Sequence, residues 1–147
     1  MPSLIAETTV DIRAPATKVW QVLTVPSYIA QWDDVPEAFD GEALHLGSEF
    51  VWEGENGVTK LTVVALKPPA YLRQAWRASH APTETDSIAY SYALAKREGR
   101  TRLTITVGDW AALPDGEQYH EASMEFTKDA SQKIKELAER PEHEGDE

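Results

Sequence analysis

The sequence predicts an α+β domain in which a curved antiparallel β-sheet wraps around one long C-terminal helix. A long amphipathic pattern with a helical period stands near the C-terminus. Between Gly41 and that helical pattern, apolar and polar residues alternate over most of the chain, which is the period of a strand. Two short helical patterns stand between an N-terminal strand and that region. The apolar face of a single sheet must be buried against another element, so the long helix is expected to lie on that face.

The long helix is predicted from about Asp115 to about Glu139. Its inward positions recur at steps of three and four residues and are Tyr119, Ser123, Phe126, Ala130, Ile134 and Leu137. Asp115 can cap the first turn, and Pro141 ends the helix. Small residues alternate with bulky ones along the inward face. This alternation fits either close packing on the sheet or space left for a ligand, and the sequence leaves both open.

The N-terminal part contributes one strand and two short helices. Leu4–Arg13 alternates as a strand does. Pro15 opens the first helix, because proline suits the first helical turn. Pro26 ends that helix and opens a second helical piece, in which Trp32 is expected to point inward. These short helices are expected to close one end of the sheet.

Five or six antiparallel strands follow. The Asn56-Gly57 pair between two alternating runs is the strongest hairpin signal in the chain. Strands are predicted around Phe50 and Trp52 and over Val58–Lys67, Tyr71–Ala78, Ile88–Leu94 and Arg102–Val107. A twisted sheet around one helix tends to leave a hollow between them. The predicted fold therefore includes the space for an internal cavity.

Length, charge and the lack of cysteine limit the possible functions. The 147 residues suit one domain, taken as residues 1–140, followed by an acidic tail over 141–147 that is expected to be disordered. A net charge of −11 argues against nucleic acid as a partner. No apolar run is long enough to cross a bilayer, so membrane insertion is not predicted. The chain has no cysteine and no signal-peptide pattern, which favours a cytoplasmic protein.

Four motifs carry a resemblance to a known family. They are Ala14–Pro26 followed by Trp32, Leu44–Phe50, Lys67–Leu72 with Trp76, and Gly99–Ile105. In this order they resemble the START-like helix-grip superfamily, also called SRPBCC proteins, and within it the branch homologous to the activator of heat-shock-protein ATPase. The resemblance covers nearly the whole chain and implies the helix-grip fold. It does not fix a function, because members of the superfamily bind lipids, hormones or polyketides, and some catalyse cyclisation or hydrolysis.

Aromatic residues dominate the predicted inward faces. The predicted ligand-binding residues are Trp32, Phe39, Phe50, Trp52, Gln74, Trp76, Tyr90, Tyr92, Tyr119, Ser123 and Phe126. Trp and Tyr carry polar tips that need partners when buried, whereas a dry core is more often built from Leu, Ile and Val. The set therefore favours a pocket for a small hydrophobic or aromatic molecule over an aromatic-rich core. Gln74 and Ser123 are the polar residues expected to orient the ligand.

Catalytic and metal chemistry have little support in the sequence. The four histidines lack the spacing of a metal site, so neither a metal nor a cofactor is predicted. Asp33, Asp34 and Glu37 could bind a cation or raise one another's pKa, but a solvated acidic loop is favoured. His80 lies in a predicted loop near Asp86 and could act as a base, but an ordinary loop histidine is favoured. No catalytic residue is assigned.

Three functions are consistent with these patterns. The first is non-enzymatic binding or transport of a small hydrophobic or aromatic molecule in an internal cavity. The second is a cyclase- or hydrolase-type enzyme in which a cavity tyrosine or a rim carboxylate acts as general acid or base. The third is a co-chaperone-like regulator of a heat-shock ATPase, which is weaker because the chain offers a single domain. An exposed edge strand could pair two copies, so a monomer or a homodimer is expected.

Overall fold

The computed structural model describes residues 4–32, 44–54, 57–78, 88–113 and 116–140. In chain order its elements are β1 (Ala6–Ile12), α1 (Ala16–Thr24), α2 (Pro26–Trp32), β2 (Glu49–Gly54), β3 (Gly57–Lys67), β4 (Tyr71–Ala78), β5 (Ala89–Arg97), β6 (Arg100–Gly108), a 3₁₀ turn (Trp110–Ala112) and α3 (Gly116–Glu139). This order confirms the predicted α+β fold, with five strands after the two short helices.

The six strands form one antiparallel sheet in the order β1-β6-β5-β4-β3-β2. Consecutive strands from β2 to β6 pair as neighbours, whereas β1 pairs with β6, so that Thr8 lies opposite Ile105. The helices α1 and α2 connect the two edges of the sheet, because they stand between β1 and β2 in the chain. None of the helices within the described ranges has the length and apolarity that a membrane crossing requires.

The core lies between the inner face of the sheet and the helices. Leu103, Ile105 and Val107 of β6 are fully buried, as the alternation along that strand predicts. On β4 the inward residues are Leu72, Gln74 and Trp76, also as predicted. The two-residue period of the sequence therefore identifies the inner face of the sheet on these strands.

The inward face of α3 is more polar than its apolar pattern suggests. Of the predicted inward residues, Ser123, Ala130, Ile134 and Leu137 are buried, and Tyr119 and Phe126 are half-buried. Thr127 and Ser131 are buried as well. Their hydroxyls donate to the carbonyls of the preceding turn, Thr127 to Met124 and Ser131 to Lys128, which satisfies them without water. The predicted cap Asp115 lies outside the described residues.

The carboxylate of Asp109 links Leu4, just before β1, to the 3₁₀ turn. The backbone N–H groups of Leu4 and Ala111 both donate to Oδ1 of Asp109, at 2.8 and 2.9 Å. These two hydrogen bonds hold the pKa of Asp109 below its usual range. The carboxylate therefore stabilises the fold at neutral pH, and this contribution is lost as the pH falls through the lowered pKa of the folded state.

We expect Asp109→Ala to lower the free energy of unfolding by about 0.5–2 kcal/mol at pH 7, the cost typical of a lost cap. The difference from the wild type should narrow in acid, because the protonated carboxyl of the wild-type protein is a weaker acceptor than the carboxylate. Urea unfolding of both proteins at pH 7 and at pH 3 measures the two differences. An equal difference at both pH values would contradict the role assigned to the ionised carboxylate.

Candidate functional site

A partly open cleft lies between the inner face of the sheet and the N-terminal half of α3. Its volume is about 320 Å³. Strands β3, β4 and β5, the 3₁₀ turn and α3 all contribute to its wall, and the lining residues are Thr59, Leu61, Trp76, Tyr90, Trp110, Tyr119, Ala122, Ser123 and Phe126. Five of these side chains are aromatic. The cleft is therefore a candidate binding site for a small molecule.

Three aromatic rings form the inner wall of the cleft. Trp110 and Tyr119 are stacked, with ring centroids 4.8 Å apart and planes inclined by 15°. Trp76 meets both edge-on, with centroid distances of 4.9 Å to Trp110 and 5.6 Å to Tyr119. Offset and edge-to-face pairs are the favoured arrangements of aromatic rings, so this trio forms a stable apolar surface.

Phe126 joins the cleft to a second aromatic group near α2. Its ring lies 5.5 Å from that of Tyr90 and 6.5 Å from that of Trp32. Trp32 in turn meets Tyr92 edge-on at 5.8 Å. Trp32 and Tyr92 are buried and do not line the cleft. Only the outer part of this second group, Tyr90 and Phe126, can contact a molecule in the cleft.

Two indole N–H groups donate to partners inside the protein. Trp110 Nε1 donates to Ser123 Oγ at 2.8 Å, and both groups are buried. Trp32 Nε1 donates to the carbonyl of Val22 at 2.8 Å. Because the Ser123 hydroxyl accepts from Trp110, it keeps its own O–H for donation. Ser123 therefore holds Trp110 in place and still presents one donor at the wall of the cleft.

The structure brings together five of the eleven predicted ligand-binding residues. Trp76, Tyr90, Tyr119, Ser123 and Phe126 line the cleft. Another four are buried in the core and do not line it, namely Trp32, Phe50, Gln74 and Tyr92. Phe39 lies outside the described residues. Trp52 occupies a position in β2, but its side chain is outside the description. A role in binding stays a prediction for all of them.

Four lining residues are absent from the set predicted from the sequence. Leu61 and Thr59 lie on the inner face of β3, where their alternation could have identified them. Ala122 lies at the exposed rim of α3, next to the predicted Ser123. Trp110 belongs to the 3₁₀ turn, for which the sequence carries no periodic signal. Only its large apolar ring could have indicated burial.

A second hollow of about 400 Å³ lies between α2 and α3. It is lined by Ala30, Gln31, Trp32, Phe126, Asp129, Ala130 and Lys133. The predicted acidic cluster Asp33, Asp34 and Glu37 follows α2 but lies outside the described residues, as does the His80 and Asp86 pair. Within the ranges that the structure describes, no group of three or more His, Asp or Glu side chains could hold a metal ion.

A six-stranded antiparallel sheet around one long helix, with a cleft between them, defines a START-like helix-grip domain of the SRPBCC type. The sequence matches the family model described as activator of Hsp90 ATPase homolog 1-like protein over residues 13–139. The chain therefore belongs to this family. No protein among the curated sequences matches it.

Solved structures share the fold at low sequence identity. The Aha1 dimer from Colwellia psychrerythraea has a TM-score of 0.70 and 18% identity, covering 92% of this chain and 96% of that chain. Protein MLL2253 from Mesorhizobium loti has a TM-score of 0.67 and 21% identity, covering 89% and 95%. DynU16, from the dynemicin biosynthetic locus, has a TM-score of 0.67 and 18% identity, covering 94% of this chain and 48% of that chain. At these identities the likeness concerns the fold alone.

Proposed function

We propose that the protein binds a small, uncharged aromatic molecule in the cleft beneath α3. One observation carries the proposal: five of the nine described lining residues are aromatic, and none of the nine is charged at neutral pH. A charged ligand would lose its hydration there without gaining a counter-charge, which is costly. A neutral planar ligand would instead stack on rings that already pack in a defined geometry.

The size and the polar groups of the cleft support the same class of ligand. About 320 Å³ is at the lower end of small-molecule pockets, which span roughly 300–1,000 Å³. The polar side chains along the wall carry hydroxyl groups and belong to Thr59, Tyr90, Tyr119 and Ser123. Hydroxyls both donate and accept, so they suit a phenol or a ketone. The ligand that fits best is therefore a compact aromatic molecule with one or two neutral polar groups.

Two measurements test the proposal. Native mass spectrometry of the freshly purified protein, compared with the denatured mass, detects a co-purified ligand, and the same spectrum reports whether the protein is a monomer or a homodimer. Thermal unfolding with 2-naphthol and with 2-naphthoate then separates neutral from anionic ligands of similar shape. At one hundred times its dissociation constant, a ligand of the folded state adds about 2.7 kcal/mol of stability. Stabilisation by 2-naphthoate at least equal to that by 2-naphthol would contradict the proposal.

A substitution at the rim should block the cleft without disturbing the core. Ala122 lines the cleft and is exposed, so an indole at this position can occupy the opening at little cost in packing. We expect Ala122→Trp to remove the stabilisation by 2-naphthol, with an affinity loss of about 1–2 orders of magnitude. The neighbouring Glu121 is also exposed but does not line the cleft. Glu121→Trp is therefore the matched control and should bind as the wild type does.

Family membership supports a second candidate function. The match over residues 13–139 suggests regulation of a heat-shock ATPase, through contacts of this domain with the chaperone. Measuring ATP hydrolysis by a purified Hsp90 with and without this protein tests that role, and an unchanged rate together with no binding in a pull-down would exclude it. A cyclase- or hydrolase-type activity would have Tyr90 or Tyr119 as its general acid or base, because no carboxylate or histidine stands among the described lining residues. We prefer ligand binding because the aromatic lining supports it directly.

A further inference from the structure

A basic cleft lies at the opposite end of the sheet from the aromatic one. Strand β5 runs from the aromatic cleft, near Tyr90, to the basic cleft, at Arg97. The basic cleft has a volume of about 340 Å³, and the start of α1 and the β5–β6 hairpin form its walls. Its lining residues are Pro15, Ala16, Thr17, Lys96, Arg97, Gly99 and Arg100. Three positive side chains thus meet in one cleft of a chain whose net charge is −11.

Within the described ranges, no carboxylate forms an ion pair with Lys96, Arg97 or Arg100. The nearby Asp11 is paired instead with Arg102, at 3.0 Å. That hydrogen bond is the largest cause of the lowered pKa of Asp11, and the positive charges of Arg100 and Arg97 also lower this pKa. The electrostatic field of these two arginines therefore extends beyond the cleft. Glu98, at the tip of the hairpin, is exposed and does not line the cleft.

The end of α3 lies beside this cleft. Glu139, the last residue of α3, accepts a hydrogen bond from the backbone N–H of Arg13 at 2.8 Å. The next residue, Ala14, accepts one from the hydroxyl of Thr101, also at 2.8 Å, and is followed by Pro15 in the wall of the cleft. Only one residue, Ala14, therefore stands between Arg13, which contacts Glu139, and Pro15 in the wall of the cleft.

The sequence that follows α3 is acidic. Glu142, Glu144, Asp146 and Glu147 carry four negative charges within eight residues of Glu139. Six residues in extended form span up to about 20 Å, which is ample for a cleft that begins beside the end of the helix. Because the segment is covalently attached, its effective concentration at the cleft is on the order of millimolar, so weak charge pairs suffice to hold it.

We propose that the basic cleft of Lys96, Arg97 and Arg100 binds the acidic segment that follows α3 in the same chain. In this arrangement the segment occupies the cleft by charge complementarity. The interaction involves a surface separate from the aromatic cleft, so its test does not depend on the small-molecule proposal.

Zero-length cross-linking with a water-soluble carbodiimide tests the proposal on the full chain. The reagent joins the Lys96 amine to a carboxylate in direct contact, and peptide mapping of the monomer fraction identifies the pair. We expect links from Lys96 to Glu142, Glu144 or Asp146 at low salt. The yield should fall about ten-fold in 1 M salt, where charges are screened within roughly 3 Å. Lys60, exposed on β3 near the other end of the sheet, should form none of these links.

A charge-reversal variant that keeps Lys96 separates binding from mere proximity. Arg97→Glu with Arg100→Glu leaves the reactive amine in place and should abolish the links. The control variant Lys60→Glu with Lys128→Glu has the same net charge and should preserve them. Links that survive both 1 M salt and the Arg97 and Arg100 substitutions would overturn the proposal. So would an absence of links, or links found only between two molecules, which would make a second copy the occupant.

Discussion

Replacing Trp110 by alanine is expected to lower the free energy of unfolding by about 3–5 kcal/mol, the range for a large buried aromatic residue. Trp110 is 1% exposed. Its ring stacks on Tyr119 and meets Trp76 edge-on, and its indole N–H donates to Ser123. Removing the ring therefore leaves a cavity and takes away one wall of the candidate site. Urea unfolding followed by circular dichroism measures the loss.

Two milder variants show how much of this loss in unfolding free energy comes from the packing of the ring and how much from its hydrogen bond. Trp110→Phe keeps an aromatic ring but removes the N–H, so it should retain part of the packing energy. Ser123→Ala keeps the indole and leaves its buried N–H without this partner, at a cost of about 1–3 kcal/mol. A loss below about 1 kcal/mol for Trp110→Ala would show that the site collapses around the missing ring, contrary to the packing described.

The sheet and its inner face could be predicted because strands have a strict two-residue period. In β4 and β6 the alternation alone identifies the residues that point inward, and the structure confirms them. The long helix could be predicted for a similar reason, since its apolar pattern continues from Tyr119 to Leu137. The buried hydroxyls of Thr127 and Ser131 could not, because a sequence pattern does not show that each bonds to its own helix backbone.

The candidate site was only partly predictable. The alternation along a strand identifies the residues that face the core, but it does not show which of them line the cleft. Gln74 and Tyr90 lie opposite each other on the inner face of the sheet, yet only Tyr90 lines the cleft. The difference depends on where α3 crosses the sheet, which is a property of the whole fold. Trp110 was missed for another reason. Neither the strand period nor the helix period applies to a 3₁₀ turn of three residues, so its inward side has no sequence signature.

Alanine in place of Gly116 should be strongly destabilising, although it adds only one methyl group. Gly116 is the first residue of α3 and is buried against the 3₁₀ turn. An added Cβ would overlap the carbonyl oxygen of Trp110 and would lie 2.8 Å from its carbonyl carbon and 3.2 Å from Leu4 Cδ1. Because the overlap is with backbone atoms, α3 and the turn must move apart.

We expect Gly116→Ala to destabilise the protein by about 2–3 kcal/mol, since overpacking outweighs the roughly 1 kcal/mol by which alanine favours a helix over glycine. The displacement should also move Trp110, so stabilisation by 2-naphthol should weaken together with the fold. Gly99→Ala is the matched control, because this glycine has a φ of +66° but no atom near an added Cβ. It should cost only about 1–2 kcal/mol of backbone strain and leave 2-naphthol binding intact. If Gly116→Ala proved as stable as the wild type, the close contact between α3 and the turn would be contradicted, and with it the fixed position of Trp110 in the cleft.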